Sequence, residues 1–228
     1  MPDSPSFETL SVEPVSTVDR VAEELRRALF EGELGPGTPL REVALAASLG
    51  VSRSTVREAV GMLVADGLVD RIPNKGTSVH ALTADGIRDI CQARLVLETA
   101  GVDGWERASE QARDVVRAAN GAYGQLVRTK ASAQELTAAH LEIHRSLTAL
   151  TGSPRLIAMS DTLYAEIRLA LAHLDRARGN TREQAHAHSD LLELLESGRL
   201  VEARASLVEH LAGAEQSLLD SVQEAGHP

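Results

Sequence analysis

Aromatic residues are almost missing from this chain. Phe, Trp and Tyr make up 2% of the 228 residues while apolar residues reach 43%, so any core must be built from Ala, Leu, Val and Ile, a composition that favours packed helices over sheets. Cysteine is nearly absent as well. Cys91 stands alone, which excludes an internal disulfide framework, suits a reducing compartment and reads as a buried helix residue. No run approaches the ~20 apolar residues of a membrane span, and the polar stretch from Met1 to Glu13 lacks a signal peptide's apolar centre. A cytoplasmic protein without a membrane partner is expected. Nucleophile-elbow, P-loop and dinucleotide-binding patterns are missing too, so no catalytic residue is assigned.

Positive charge is also scarce. The net charge is −10, which argues at first against a nucleic-acid partner, because DNA affinity comes largely from neutralising phosphates with Lys and Arg. The distribution points the other way. Between Val43 and Arg57 the only charged residues are Arg53 and Arg57, and between Arg71 and Lys75 only Arg and Lys are charged. A small basic face on an acidic body could bind DNA without coating nucleic acid indiscriminately.

The length allows one large domain or two small ones, and the patterning favours two. Residues 1–13, rich in Ser, Pro and acids, read as a disordered leader. Over 14–81 the spacing predicts three helices and a hairpin. Val18, Val21, Ala22, Leu25, Ala28 and Leu29 make the first helical stripe, after a cap at Ser16 or Thr17. Gly32, Gly35, Pro36 and Gly37 end that helix. A short second helix has Leu40, Val43, Ala44 and Ala47 on one face and ends near Gly50. Ser52 caps the third, whose inward stripe is Val56, Ala59, Val60, Leu63 and Val64. Leu68 to Ile72 and Thr77 to Ala81 are β-prone runs joined by a turn at Pro73-Asn74-Lys75-Gly76. Over 82–228 only long helices are predicted, at roughly 84–103, 106–128, 132–151, 154–178, 181–197 and 199–224. The expected fold is mostly α: a winged helix-turn-helix followed by an all-α bundle.

In a helix-turn-helix the second helix of the pair presents its N-terminal residues to base edges in the major groove. Ser52, Arg53, Ser54, Thr55 and Arg57 occupy that place. Arg can pair bidentately with guanine, and hydroxyls can reach phosphates or bases. Lys75, beside Gly76 at the hairpin tip, is placed to touch the sugar-phosphate backbone or the minor groove. The plainer reading makes Ser52 a cap and the arginines a solvated face. The segment resembles the DNA-binding domain of the GntR family of bacterial regulators at Leu34-Gly35-Pro36-Gly37-Thr38-Pro39-Leu40-Arg41-Glu42, at Leu49-Gly50-Val51-Ser52-Arg53-Ser54-Thr55-Val56-Arg57-Glu58-Ala59 and at Pro73-Asn74-Lys75-Gly76-Thr77-Ser78-Val79. That resemblance implies recognition by Arg53, Ser54, Thr55 and Arg57, with Gly76 letting the wing approach DNA. Ser54-Thr55 departs from the common Thr-Pro pair, and Val43 stands where some relatives carry an Arg.

His140 and His144 are four apart and so share a helix face. His188 and His210 lie on two later helices, and an antiparallel pair joined at Gly198 could bring them to the same point. Such imidazoles suit Zn²⁺, Ni²⁺ or Cu²⁺ better than Mg²⁺ or Ca²⁺. An isolated His-x-x-x-His pair, by contrast, is more often surface or core than ligand. His186 reads as solvated; His80, His173 and His227 read as structural or exposed. This half resembles the FCD domain of the FadR subgroup at Arg94-Leu95-Val96-Leu97-Glu98, at His140-Leu141-Glu142-Ile143-His144 and from His188 to His210. The resemblance implies a metal site on His144, His188 and His210, with His140 standing where metal-binding members usually have Asp. Arg94 either pairs with an effector carboxylate or forms a buried salt bridge with Glu98.

The expected function is a DNA-binding transcriptional regulator, by resemblance a repressor. It would be a homodimer on a two-fold symmetric double-stranded operator, controlled by a small organic acid bound beside a divalent metal such as Zn or Ni. Metal loading would fall as pH drops through about 6.5. Two other readings remain: a helical metalloenzyme using the His cluster, or a ligand-free dimerisation module.

Overall fold

The computed structural model describes residues 16–73, 76–172 and 181–224. The sequence-predicted leader at 1–13, together with Lys75, His173 and His227, lies outside the described residues.

Local capping chemistry sets the helix starts. Ser16 and Asp19 form a reciprocal capping box at the head of α1 (Thr17–Phe30), and Val21, Ala22, Leu25, Ala28 and Leu29 are its buried face. α2 (Glu42–Leu49) ends at Gly50, whose φ of +66° is the left-handed conformation glycine adopts freely. α3 (Arg53–Ala65) starts at Ser52, whose hydroxyl accepts from the Thr55 amide. β1 (Val69–Ile72) and β2 (Gly76–Val79) pair antiparallel, with Val69 opposite Val79 and Ile72 opposite Gly76. Leu25, Leu29, Val56, Val60, Leu63 and Leu68 are among the residues that close one core beneath these elements.

Of the face expected for the second helix, Leu40 is buried just ahead of α2, and the rest is corrected. Val43 is 61% exposed, and Ala44 and Ala47 are exposed with it, while Ala46 is buried and Leu45 and Leu49 pack against the core. Apolar residues surround this short helix on all sides, so periodicity carried no direction, and packing on α3 chose it.

The remaining chain forms α4 (Ala84–Asp103), α5 (Glu110–Thr129), α6 (Ala133–Ala149), α7 (Pro154–Leu171), α8 (Thr181–Glu196) and α9 (Leu200–Glu224). α5 begins four residues later than its spacing suggests, because Ser109 caps it and Trp105–Arg107 form a separate 3₁₀ turn. Ser132 and Glu135 make a second capping box at α6. α4 packs on α6 and α9, α5 on α6 and α8, and α8 on α9. The α4–α6 crossing is backbone to backbone: a Cβ on Gly101 would lie 1.9 Å from the Leu147 carbonyl oxygen. That close approach brings the Glu98 turn of α4 against the His144 turn of α6. Cys91 is buried, as its surroundings in sequence suggest. No helix among the described residues is long and apolar enough to cross a membrane.

Candidate functional site

At the start of α3, Ser52, Arg53 and Ser54 are exposed and Thr55 is half-buried. Ser52 Oγ lies 2.7 Å from Ser54 Oγ and 2.8 Å from Thr55 Oγ1, so the cap is also the centre of an exposed hydroxyl cluster. Arg57 is not a free cation. Its Nε and Nη2 donate to the two carboxylate oxygens of Glu42 at 3.2 and 2.8 Å. Glu42 lies immediately before the acid-free stretch that begins at Val43. Hydrogen bonding to Arg57, with the charges of Arg53 and Arg71 behind it, holds the Glu42 carboxyl below its usual range. Arg71 thereby joins the basic surface around α3, a neighbour that only the folded hairpin supplies. Gly76 has φ +93° and opens β2.

The second constellation lies inside the helical body. His140 and His144 from α6, His188 from α8 and His210 from α9 point at one spot, with one ligand nitrogen from each lying within 4.8 Å of the others. The antiparallel α8–α9 pair brings the His188 and His210 ring centres to 4.5 Å. Two rings have their tautomers set by neighbours. His144 Nδ1–H donates to Glu98 Oε2 at 2.7 Å, and His188 Nδ1–H donates to the Gln184 carbonyl at 2.6 Å. Their Nε2 atoms, left as lone pairs in the neutral rings, face each other at 3.3 Å, and His140 Nε2 is 3.2 Å from His144 Nε2. His210 Nε2 is buried without a hydrogen-bond partner. Facing lone pairs and an orphaned buried nitrogen are unfavourable by themselves and are relieved by a cation between them. The donor set therefore fits a transition metal that accepts imidazole.

Burial keeps these rings neutral. Desolvation, then the neighbouring rings and Arg94, puts His140 and His144 well below the ordinary imidazole value; His188 is lowered mainly by burial, and His210 is pushed down to about 4. The neutral form of these rings thus persists below the pH of about 6.5 at which ordinary imidazoles protonate.

Glu98, fully buried, ties the cluster to two further residues. Its Oε1 accepts from Arg94 Nε at 2.8 Å and from Tyr164 OH at 3.0 Å. Burial raises the Glu98 carboxyl and Arg94 opposes that rise. Arg94 therefore makes the salt bridge, and it also lines a 410 Å³ cavity with His140, His210 and Tyr123. Leu141, Ile167 and Leu171 give that cavity an apolar wall, and Thr137 and Ser206 add hydroxyls. Tyr123 stacks on His140 at 5.4 Å. Tyr123 and Glu98 had no sequence signal as partners of the histidines, nor Tyr164 as a partner of Glu98, because each lies on a different helix from the group it meets. His186 is exposed, and His80 bonds Asp70 outside the cluster.

The model of the bacterial regulatory proteins of the gntR family matches residues 17–79, and the FCD domain model matches residues 89–213, more than half of the chain. The chain belongs to the GntR family, with an FCD domain. Its GntR relatives include the Nta operon transcriptional regulator of Aminobacter aminovorans, 28% identical over 191 residues, 83% of this chain and 89% of that protein. The gluconate operon transcriptional repressor of Bacillus subtilis is 43% identical over 84 residues, 37% of this chain. Such matches to Bacillus regulators span only 34–36% of those proteins' own length. A crystal structure of a GntR transcriptional regulator from Rhodococcus sp. RHA1 superposes with a TM-score of 0.80 at 29% identity, covering 91% of this chain and 99% of that one. GntR proteins with FCD domains are transcriptional regulators, and the metalloenzyme reading falls. Consistently, Glu142, the acid between His140 and His144, is exposed and turned toward Arg145 rather than into the cluster.

Proposed function

We propose that this GntR-family chain is a cytoplasmic repressor whose operator binding is controlled by a small carboxylate bound beside a divalent transition metal such as Zn or Ni. The head, residues 14–81, reads DNA through Arg53, Ser54, Thr55 and Arg57, with Ser52 ordering the start of α3, and through Lys75 and Gly76 of the wing. The body, residues 82–228, joins two copies so that two heads meet the half-sites of a two-fold symmetric operator.

The observation that carries the metal reading is the set of four ring nitrogens converging on one buried point. His140, His144, His188 and His210 would hold the ion. When bound, the ion supplies positive charge and a coordination position for a carboxylate in the adjoining cavity. Arg94 gives its Nε to Glu98 and keeps the rest of its guanidinium fork for the carboxylate's other end, so both sequence readings of this residue operate together. Leu141 and Ile167 exclude water from one side of that space.

The test is metal content by elemental analysis, with melting curves with and without chelator. Wild type should carry metal and melt earlier without it. His144→Ala and His210→Ala should lose the metal, melt earlier and keep DNA binding at least in part. Equal metal content in wild type and both variants would leave the histidines as core residues and reduce the body to a dimerisation module.

A further inference from the structure

α7 belongs to two cores at once. Tyr164 and Ile167 are buried in the body with Ile90 and Leu141. Leu169, five residues beyond Tyr164, is 1% exposed and lies in the core of the DNA-reading head. The surrounding residues of α7 hold the head from outside. The Arg168 guanidinium sits 4.1 Å from the centre of the Phe30 ring. Glu166 approaches His80 Nε2 at 3.9 Å, and the opposite ring nitrogen of His80 bonds Asp70 of β1. Gly67, which closes the turn into β1, has no room to spare: a Cβ there would meet Glu166 Oε1 at 2.9 Å and Thr162 Cγ2 at 3.2 Å.

The same helix is hydrogen-bonded to the histidine cluster. Tyr164 OH donates to one oxygen of Glu98 at 3.0 Å, and His144 donates to the other at 2.7 Å. We propose that Tyr164 is a positioning residue that couples the state of the histidine cluster to the placement of the head, with α7 as the rigid element between them. The proposal rests on the metal reading given above. An imidazole whose Nε2 is engaged by a cation is a stronger Nδ1–H donor. Its pull on Glu98 competes with the pulls of Arg94 and Tyr164 on the same carboxylate. A packed helix moves as a unit rather than bending to absorb such a shift. About 7.5 Å of helix separates Tyr164 from Leu169 at the usual rise, so displacement of the phenol end reaches Phe30, Gly67 and His80 directly.

The experiment is hydrogen exchange of the full chain with and without stoichiometric Zn²⁺, with Zn²⁺ affinity measured separately by competition with a chromophoric chelator. In wild type, Zn²⁺ should slow exchange several-fold in α6 and α8 and also change it in the head peptides around Phe30 and Gly67. Tyr164→Phe keeps the ring and loses only the hydroxyl. It should bind Zn²⁺ within about threefold of wild type, by the modest net value of one hydrogen bond, and retain the α6 and α8 response while the head response disappears. Arg168→Met, at the head end of α7 and remote from the cluster, should likewise lose the head response. A full head response in either folded variant overturns the proposal. So does a wild-type response confined to the body, which leaves the metal reading standing. Absence of Zn²⁺ binding in wild type removes both.

Discussion

His188 Nε2 and His144 Nε2 face each other across 3.3 Å while the opposite nitrogen of each ring is committed, to the Gln184 carbonyl and to Glu98 respectively. This pair states the chemistry of the body: two neutral imidazoles hold lone pairs toward a shared point, and His140 and His210 complete the set. Because four neutral rings add no negative charge, the only buried acid beside them, among the described residues, is Glu98, which already answers Arg94. His140→Asp would place one negative charge at that point. It should bind Zn²⁺ more tightly, by about tenfold or more, and weaken any carboxylate bound afterwards. Chelator competition measures the first effect and calorimetry with a dicarboxylate series the second; unchanged Zn²⁺ affinity would place His140 outside the ligand set.

Acid should destabilise the metal-free protein earlier than carboxylate titration alone would. His140, His144, His188 and His210 resist protonation in the fold, His210 down to about 4, while in the unfolded chain they protonate near 6.5. Between those values the unfolded state binds more protons, so stability rises with pH across the window and is lost as pH falls from 6.5 toward 4. Arg94 and Glu98 are the charged groups facing the rings; burial raises the Glu98 carboxyl and Arg94 opposes that rise. Melting curves of chelator-treated protein should show the steepest decline there, and His210→Gln should flatten it.

Operator binding should depend unequally on the two α3 arginines. Arg53 is exposed, and Arg53→Ala should cost about 1–3 kcal/mol in specific binding. Arg57 must leave Glu42 to reach a base, so Arg57→Ala should cost less than Arg53→Ala, and Glu42→Gln should tighten binding and steepen its salt dependence. Lys75→Ala should weaken specific and non-specific DNA alike. Fluorescence anisotropy over a salt series separates these cases. Light scattering on the same samples should give a dimer; a monomer with full operator affinity would contradict the symmetric arrangement.

Gly101→Ala should be severely destabilising although alanine favours helix. The added methyl would sit 1.9 Å from the Leu147 carbonyl oxygen, on backbone that cannot swing away. Forcing α4 from α6 would also pull Glu98 from His144, so the variant should lose several kcal/mol of stability together with any metal the histidines hold. A melting temperature equal to wild type would refute this account of the crossing.

Much of the architecture is readable from residues within four positions of one another. Ser16 with Asp19, Ser52 with Thr55 and Ser132 with Glu135 start helices by local hydrogen bonds, and the stripe from Val21 to Leu29 faces inward because helical spacing leaves it no alternative. The i, i+4 pair His140 and His144 is local in the same sense. Tertiary structure decided the rest. Which side of α2 is buried depended on α3, because apolar residues ring that helix. Arg57 met Glu42 across fifteen residues, and Glu98 met His144 across forty-six and Tyr164 across sixty-six. Helical periodicity assigns a residue to a face, but which faces meet depends on crossing distances set by contacts such as Gly101 on Leu147. For the same reason the sequence marked α7 only as a long helix, and packing alone revealed that Leu169 completes the core of the head while Tyr164 reaches the histidines through Glu98.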